Sequence, residues 1–158
     1  MPNYCYNIMS VFGEQAEIER LLQIIHGETE FDFEKIRPCP KEISKDEPSE
    51  TDSEGTLVNR YMDWHVNNWG TKWNAIEPDV QYWEGGYIVD GVEINDMSIT
   101  FQTAWSPSLP ITHTLSTAFP TLYFVHVFEE SNMDFSGVFE FENGEVQRND
   151  YGKYGVYR

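Results

Sequence analysis

YCYNIMSVFGEQAEIERLLQIIHG, residues 4–27, changes its period from two to 3.6 at Gly13, and this change sets the fold class. Residues Tyr4 to Phe12 alternate, with Tyr4, Tyr6, Ile8 and Phe12 on one face, as expected of a strand that Gly13 ends. Ile18, Leu21, Leu22 and Ile25 then form an i, i+3, i+4, i+7 stripe. Glu14 and Glu17 stand where a helix N-terminus favours anions, and Gly27 supplies the stop. A strand feeding directly into an amphipathic helix of about three turns opens an α+β domain.

Downstream, Phe31 to Phe33 is expected to be a short β segment, closed by Pro38 and Pro40. Residues 41–55 are nearly devoid of large apolar side chains and rich in acids, Ser and Lys, so they are expected to form a mobile acidic loop. Residues 56–97 read as an insertion. It holds a short helix through Leu57, Tyr61, Trp64 and His65, ending near residues 68–70, and a β-hairpin in which Asp90-Gly91 joins residues 87–89 to 92–94.

Ser98 to Trp105 alternates as a strand that Pro107 stops. Ser106 or Ser108 can cap the next helix, with Ile111, Leu115, Ala118 and Phe119 inward and Pro120 at its end. Leu122 to Phe128 is strongly β-prone, and Phe135 to Phe141 turns back at Asn143-Gly144 through residues 145–148. The order predicts a single α+β domain over residues 1–158: a βαββαβ core with a mainly antiparallel sheet, a central insertion and a C-terminal β-hairpin.

Composition narrows the partners. The chain has 158 residues, 40% hydrophobic and 15% aromatic, enough for a self-sufficient core. Against 10 Lys and Arg stand 27 Asp and Glu, a formal charge of -17 spread along the whole length. Such a field repels phosphate backbones, so direct nucleic-acid binding is not expected, whereas a basic protein or nucleoprotein surface would be attracted. Acidity for solubility alone is the plainer alternative. Neither a signal peptide nor a membrane-length apolar run is recognised, which predicts a cytoplasmic protein with no membrane partner. Cys5 and Cys39 are read as free thiols.

Two segments carry the candidate ligand chemistry, residues 69–75 (WGTKWNA) and 101–107 (FQTAWSP). Gly70 permits a tight turn between indoles, and Trp69, Trp73 and Trp105 with Lys72, Asn74 and Ser106 would suit a pocket for a nucleotide-like molecule. The alternative is structural: the indoles plug the insertion onto the sheet, with their N–H groups bonded to backbone carbonyls. His26, His65, His113 and His126 share no metal-binding spacing, no cysteine-enzyme signature is present, and no cofactor, metal or catalytic residue is expected.

These segments, with residues 1–7 (MPNYCYN), residues 33–40 around Lys35-Ile36, Leu115-Ser116 and Phe119-Pro120, resemble the YubB-like family of phages, plasmids and other mobile elements. The resemblance implies a ferredoxin-like fold, an accessory or counter-defence role and a bacterial host cell. The expected function is a non-enzymatic acidic binder, or inhibitor, of a basic host defence protein. Its contact residues would be Asp46, Glu47, Glu50, Asp52 and Glu54 in the acidic loop and Glu129, Glu130, Glu140 and Glu142 on the late strands. Binding of a nucleotide-like small molecule by the tryptophans is the alternative.

Overall fold

The computed structural model describes residues 3–43, 50–51, 53–55 and 57–157. The opening period change is realised as a strand, β1 (Tyr4–Gly13), and a helix, α1 (Gln15–Ile25). Four more long strands follow, β5 (Val92–Ala104), β6 (Tyr123–Glu130), β7 (Phe135–Glu142) and β8 (Glu145–Gly152), of which β5 and β6 keep the alternation. With β4 (Ile76–Val89) they form one six-stranded antiparallel sheet in the order β4-β5-β1-β6-β7-β8. A two-stranded ribbon, β2 (Glu50–Thr51) with β3 (Leu57–Val58), lies apart from it.

Helices α2 (Phe33–Ile36), α3 (Arg60–Trp69) and α4 (Leu109–Ala118) complete the fold. In β1 the residues that turn inward are Cys5, Asn7, Met9 and Val11. Met9 and Val11 meet Met97, Ile99 and Phe101 of β5 and Phe124 of β6, under Ile18, Leu21 and Ile25 of α1 and Ile111 and Leu115 of α4. The Tyr6 and Ile8 face is the exposed one. Taken alone, β1-α1-β4-β5-α4-β6 with the spatial order β4-β5-β1-β6 is the ferredoxin-like βαββαβ arrangement, extended at one edge by the β7–β8 hairpin.

Both hairpin turns read from the sequence form as read. Asp90 and Gly91 have φ of 50° and 80°, and Asn143 and Gly144 have 51° and 73°, the doubly positive turn that matches strand twist. The expectations fail elsewhere for definable reasons. Phe31 to Phe33 is no strand: Asp32 accepts a hydrogen bond from the Glu34 N–H at 3.0 Å and starts α2 instead. Residues 56–97 are not wholly an insertion, because Ile76–Val89 is the second strand of the core. Pro78 conceals it in the sequence, yet an edge strand tolerates proline at a bulge, and the register shifts between Ile76 and Asp79. Ala118 is exposed rather than inward. Of the acidic-loop contact residues, Asp46, Glu47 and Asp52 lie outside the described residues. No helix among the described residues is long and apolar enough to cross a membrane.

Candidate functional site

The two tryptophan segments meet, but not as a single cleft. Helix α3 ends on Trp69, and Gly70, at φ 82°, reverses the chain in a conformation that would strain any residue with a side chain. Thr71 donates to the Ala104 carbonyl at 2.8 Å and Ser106 donates to the Gly70 carbonyl at 2.5 Å, stitching one segment to the other. Ser106 is thus spent on backbone. Trp69 is 1% exposed, donates its indole N–H to the Arg37 carbonyl at 2.8 Å and stacks on His65 with ring centroids 3.9 Å apart. It is a core residue in the way the structural alternative anticipated.

Trp73 and Trp105 are half-exposed and serve different places. Lys72 lies over the Trp105 ring at 5.6 Å, whereas Trp73 walls a cavity of about 400 Å³ in which Trp105 has no part. Around that cavity stand Glu28, Asp32, Glu34, Tyr61 and His65 with Trp73, and Trp69 lies against it. The expected trio of indoles around one ligand with Lys72 is therefore not formed. The left-handed turn at Gly70 sends the chain past Trp69, so that Trp69 faces the core while Lys72 and Trp73 leave on separate sides.

Asn74 organises this cavity rather than offering itself to a ligand. Its Oδ1 accepts from the Phe33 and Ala75 N–H groups, both at 2.9 Å, and its amide donates to Asp32 Oδ1 at 2.7 Å. Burial pushes the Asp32 pKa up, but bonds from Asn74 and the Glu28 and Glu34 N–H groups, with the Lys35 charge, outweigh it. They hold the carboxyl below its ordinary value. Glu34 goes the other way: burial and the charges of Asp32 and Glu28 raise it, against a bond from the Cys39 N–H. His65 is 2% exposed, and burial lowers its pKa despite a bond to the Lys72 carbonyl. Sequence reasoning missed Asp32, Glu34, Tyr61 and His65 as a group, since the first two belong to α2 and its cap and the other two to α3, and no local spacing joins the two helices.

The second feature is the sheet face that carries no helix. Tyr6 and Ile8 are 54% and 45% exposed at its centre. Two shallow grooves share them and Glu129. One, of about 300 Å³, also reaches Glu77, Thr100 and Gln102, and the other, of about 150 Å³, reaches Val127 and Tyr157. Tyr157 comes from the C-terminal segment, which is tied back where the Tyr157 N–H donates to Ser136 Oγ at 3.3 Å.

The late-strand acids divide. Glu129 borders the grooves, Glu142 is exposed, and Glu140 accepts from the Tyr123 hydroxyl at 2.8 Å and lies 3.5 Å from Arg148. Glu130 must be withdrawn from the contact set: it is 1% exposed and accepts from the Asn132 and Met133 N–H groups, so it caps the β6–β7 turn. Glu54 is exposed, and Glu50 lies on the small ribbon.

Two other reactive side chains, His126 and Cys5, are occupied structurally. His126 is buried between Thr112 and Asn7, and burial pushes the Cys5 thiol up to about 12, which keeps it protonated. Among the described residues, no three His, Cys, Asp or Glu side chains converge as a metal would require.

Residues 68–157 match the family model described as the ferredoxin-like domain in Api92-like protein. The whole chain superposes on the crystal structure of protein Api92 from Yersinia pseudotuberculosis with a TM-score of 0.60, covering 99% of each chain at 10% identity. At that identity the likeness is one of fold. No curated protein matches the chain by sequence.

Proposed function

We propose that this chain, which belongs to the family of ferredoxin-like domains of Api92-like proteins, is a non-enzymatic accessory protein that binds a basic, nucleic-acid-binding protein. It would cover the surface where phosphate otherwise lies. The observation that carries this reading is the open sheet face, where exposed Tyr6 and Ile8 are bordered by Glu77 and Glu129 in a chain of charge -17. An apolar centre with a polar rim is the anatomy of a protein interface, and the sign of this rim selects a cationic partner and speeds its encounter. Glu140, Glu142 and Glu54 extend the same potential beyond the grooves.

A phage or mobile-element origin, and action against a defence protein in the bacterial cytoplasm, are supported by the sequence resemblance. The nucleotide-binding alternative has less support. The cavity beside Trp73 is walled by Glu28, Asp32 and Glu34, which repel phosphate, and Lys72 sits at Trp105 instead.

The test is capture of a host protein from nuclease-treated lysate at low and at high ionic strength, with the wild type and a Tyr6→Ser, Glu129→Gln variant. The wild type should hold its partner only at low ionic strength, and the variant should lose it. Capture indifferent to salt and to the variant would refute the reading, as would retention of naked DNA by the purified protein.

A further inference from the structure

On the helix side of the sheet, away from the open face, the Trp73 cavity is lined by His65, one of whose ring nitrogens has no hydrogen-bond partner among the described residues. The Nδ1 of His65 lies 2.6 Å from the Lys72 carbonyl oxygen. A carbonyl only accepts, so Nδ1 carries the proton, and in the neutral ring Nε2 is a lone-pair acceptor. This Nε2 is buried and has no hydrogen-bond partner among the described residues. Buried polar atoms are nearly always satisfied, and an orphan on a side chain that lines a cavity calls for a donor.

The remaining walls specify what kind of donor. Tyr61 and Trp73 present rings, and Tyr61 packs edge-on against His65 with centroids 4.1 Å apart. Glu28, Asp32 and Glu34 supply negative charge; burial first, and then the charges of Asp32 and Glu28, raise Glu34, and the second of these is what a bound cation would relieve. The charge of Lys35 already acts on Asp32, which three hydrogen bonds hold as an anion, leaving Glu28 and Glu34 as the acids facing a guest. Anions are excluded by this field. An inorganic cation would find no convergent ligand set among the described residues, whereas aromatic faces with carboxylates at about 400 Å³ suit an organic one.

We propose that this cavity binds an organic cation bearing N–H groups, a guanidinium or primary ammonium, packed against Trp73 and Tyr61. It is neutralised by Glu34 and Glu28 and donates one hydrogen bond to Nε2 of His65. The group is either that of a free small amine or the side chain of a peptide, and the site does not depend on the sheet-face reading.

Isothermal titration calorimetry on the full chain tests it with agmatine, with tetramethylammonium and with a blocked Gly-Arg-Gly peptide, at matched ionic strength. Agmatine should bind saturably, and tetramethylammonium, which has the charge but no N–H, at least about tenfold more weakly. Glu34→Gln, at a partly exposed position, should weaken agmatine by about fivefold or more, and Trp73→Leu should do likewise. Thermal melting confirms that both variants are folded. Peptide binding equal to that of agmatine assigns the site to a protein side chain, and agmatine binding alone assigns it to a free amine; either supports the site. No saturable agmatine binding would overturn it, as would equal affinity for agmatine and tetramethylammonium, or unchanged affinity in both folded variants.

Discussion

Mild acid should destabilise this protein through His126, and the size of the effect follows from where the ring sits. The imidazole is fully buried, with the edges of Phe101 and Phe128 about it. Asn7 donates its amide to the Cys5 carbonyl and to Thr103 Oγ1, so its Oδ1 accepts from His126 Nε2–H at 2.8 Å. Thr112 then donates to Nδ1 at 2.7 Å. The neutral tautomer is satisfied at both nitrogens, and burial pushes the pKa down to about 3 from an ordinary 6.5.

Below pH 6.5 the unfolded chain takes up a proton that the folded chain refuses until about pH 3. The unfolded state therefore binds more protons throughout that window, and stability rises with pH across it. The contribution is full above the unfolded value and is lost as pH falls. At pH 5 the loss is roughly 2 kcal/mol, from about 1.4 kcal/mol for each of about 1.5 pH units.

Urea unfolding at pH 7.5 and pH 5, for the wild type and His126→Gln, isolates this contribution because His65 and the carboxylates are common to both. The wild type should lose about 2 kcal/mol more than the variant, and the His126 ring resonances in the wild type should not titrate between these pH values. Parallel losses in the two proteins, or a His126 titration near pH 6.5, would refute the burial argument. The NMR measurement needs no variant, so poor folding of His126→Gln would leave the test intact.

Two further outcomes are expected. Asp32→Ala removes the acceptor of the Glu28 and Glu34 N–H groups and of the Asn74 amide, and should cost roughly 2–3 kcal/mol in urea unfolding. A cost below about 0.5 kcal/mol would show that the carboxylate is not structural. Gly86→Ala would place a Cβ 1.9 Å from the Ile94 carbonyl oxygen, where the β4–β5 register shifts between Trp83 and Tyr87. It should open the outer part of that hairpin, seen as faster hydrogen exchange over residues 87–94 with unchanged exchange in β1.

Local sequence by itself determined the strand-to-helix opening, the spans of α1, β6 and β7, and both doubly positive-φ turns. Those features depend on side-chain period and on the backbone freedom of Asp90-Gly91 and Asn143-Gly144, which neighbours a few residues away define. Only the tertiary structure decided which face of β1 is buried. Ile8 is as apolar as Met9 and Val11, the Tyr6 ring is large and mostly apolar, and alternation is the same seen from either side, so the choice falls to α1 and α4 packing across the sheet. In the same way Glu130 is a turn cap while Glu129, one residue earlier, borders a groove. His65, Glu34 and Trp73 become one cavity because Asp32 and Asn74 hold α2 and the chain after α3 together across 42 residues, a closure that no local spacing encodes.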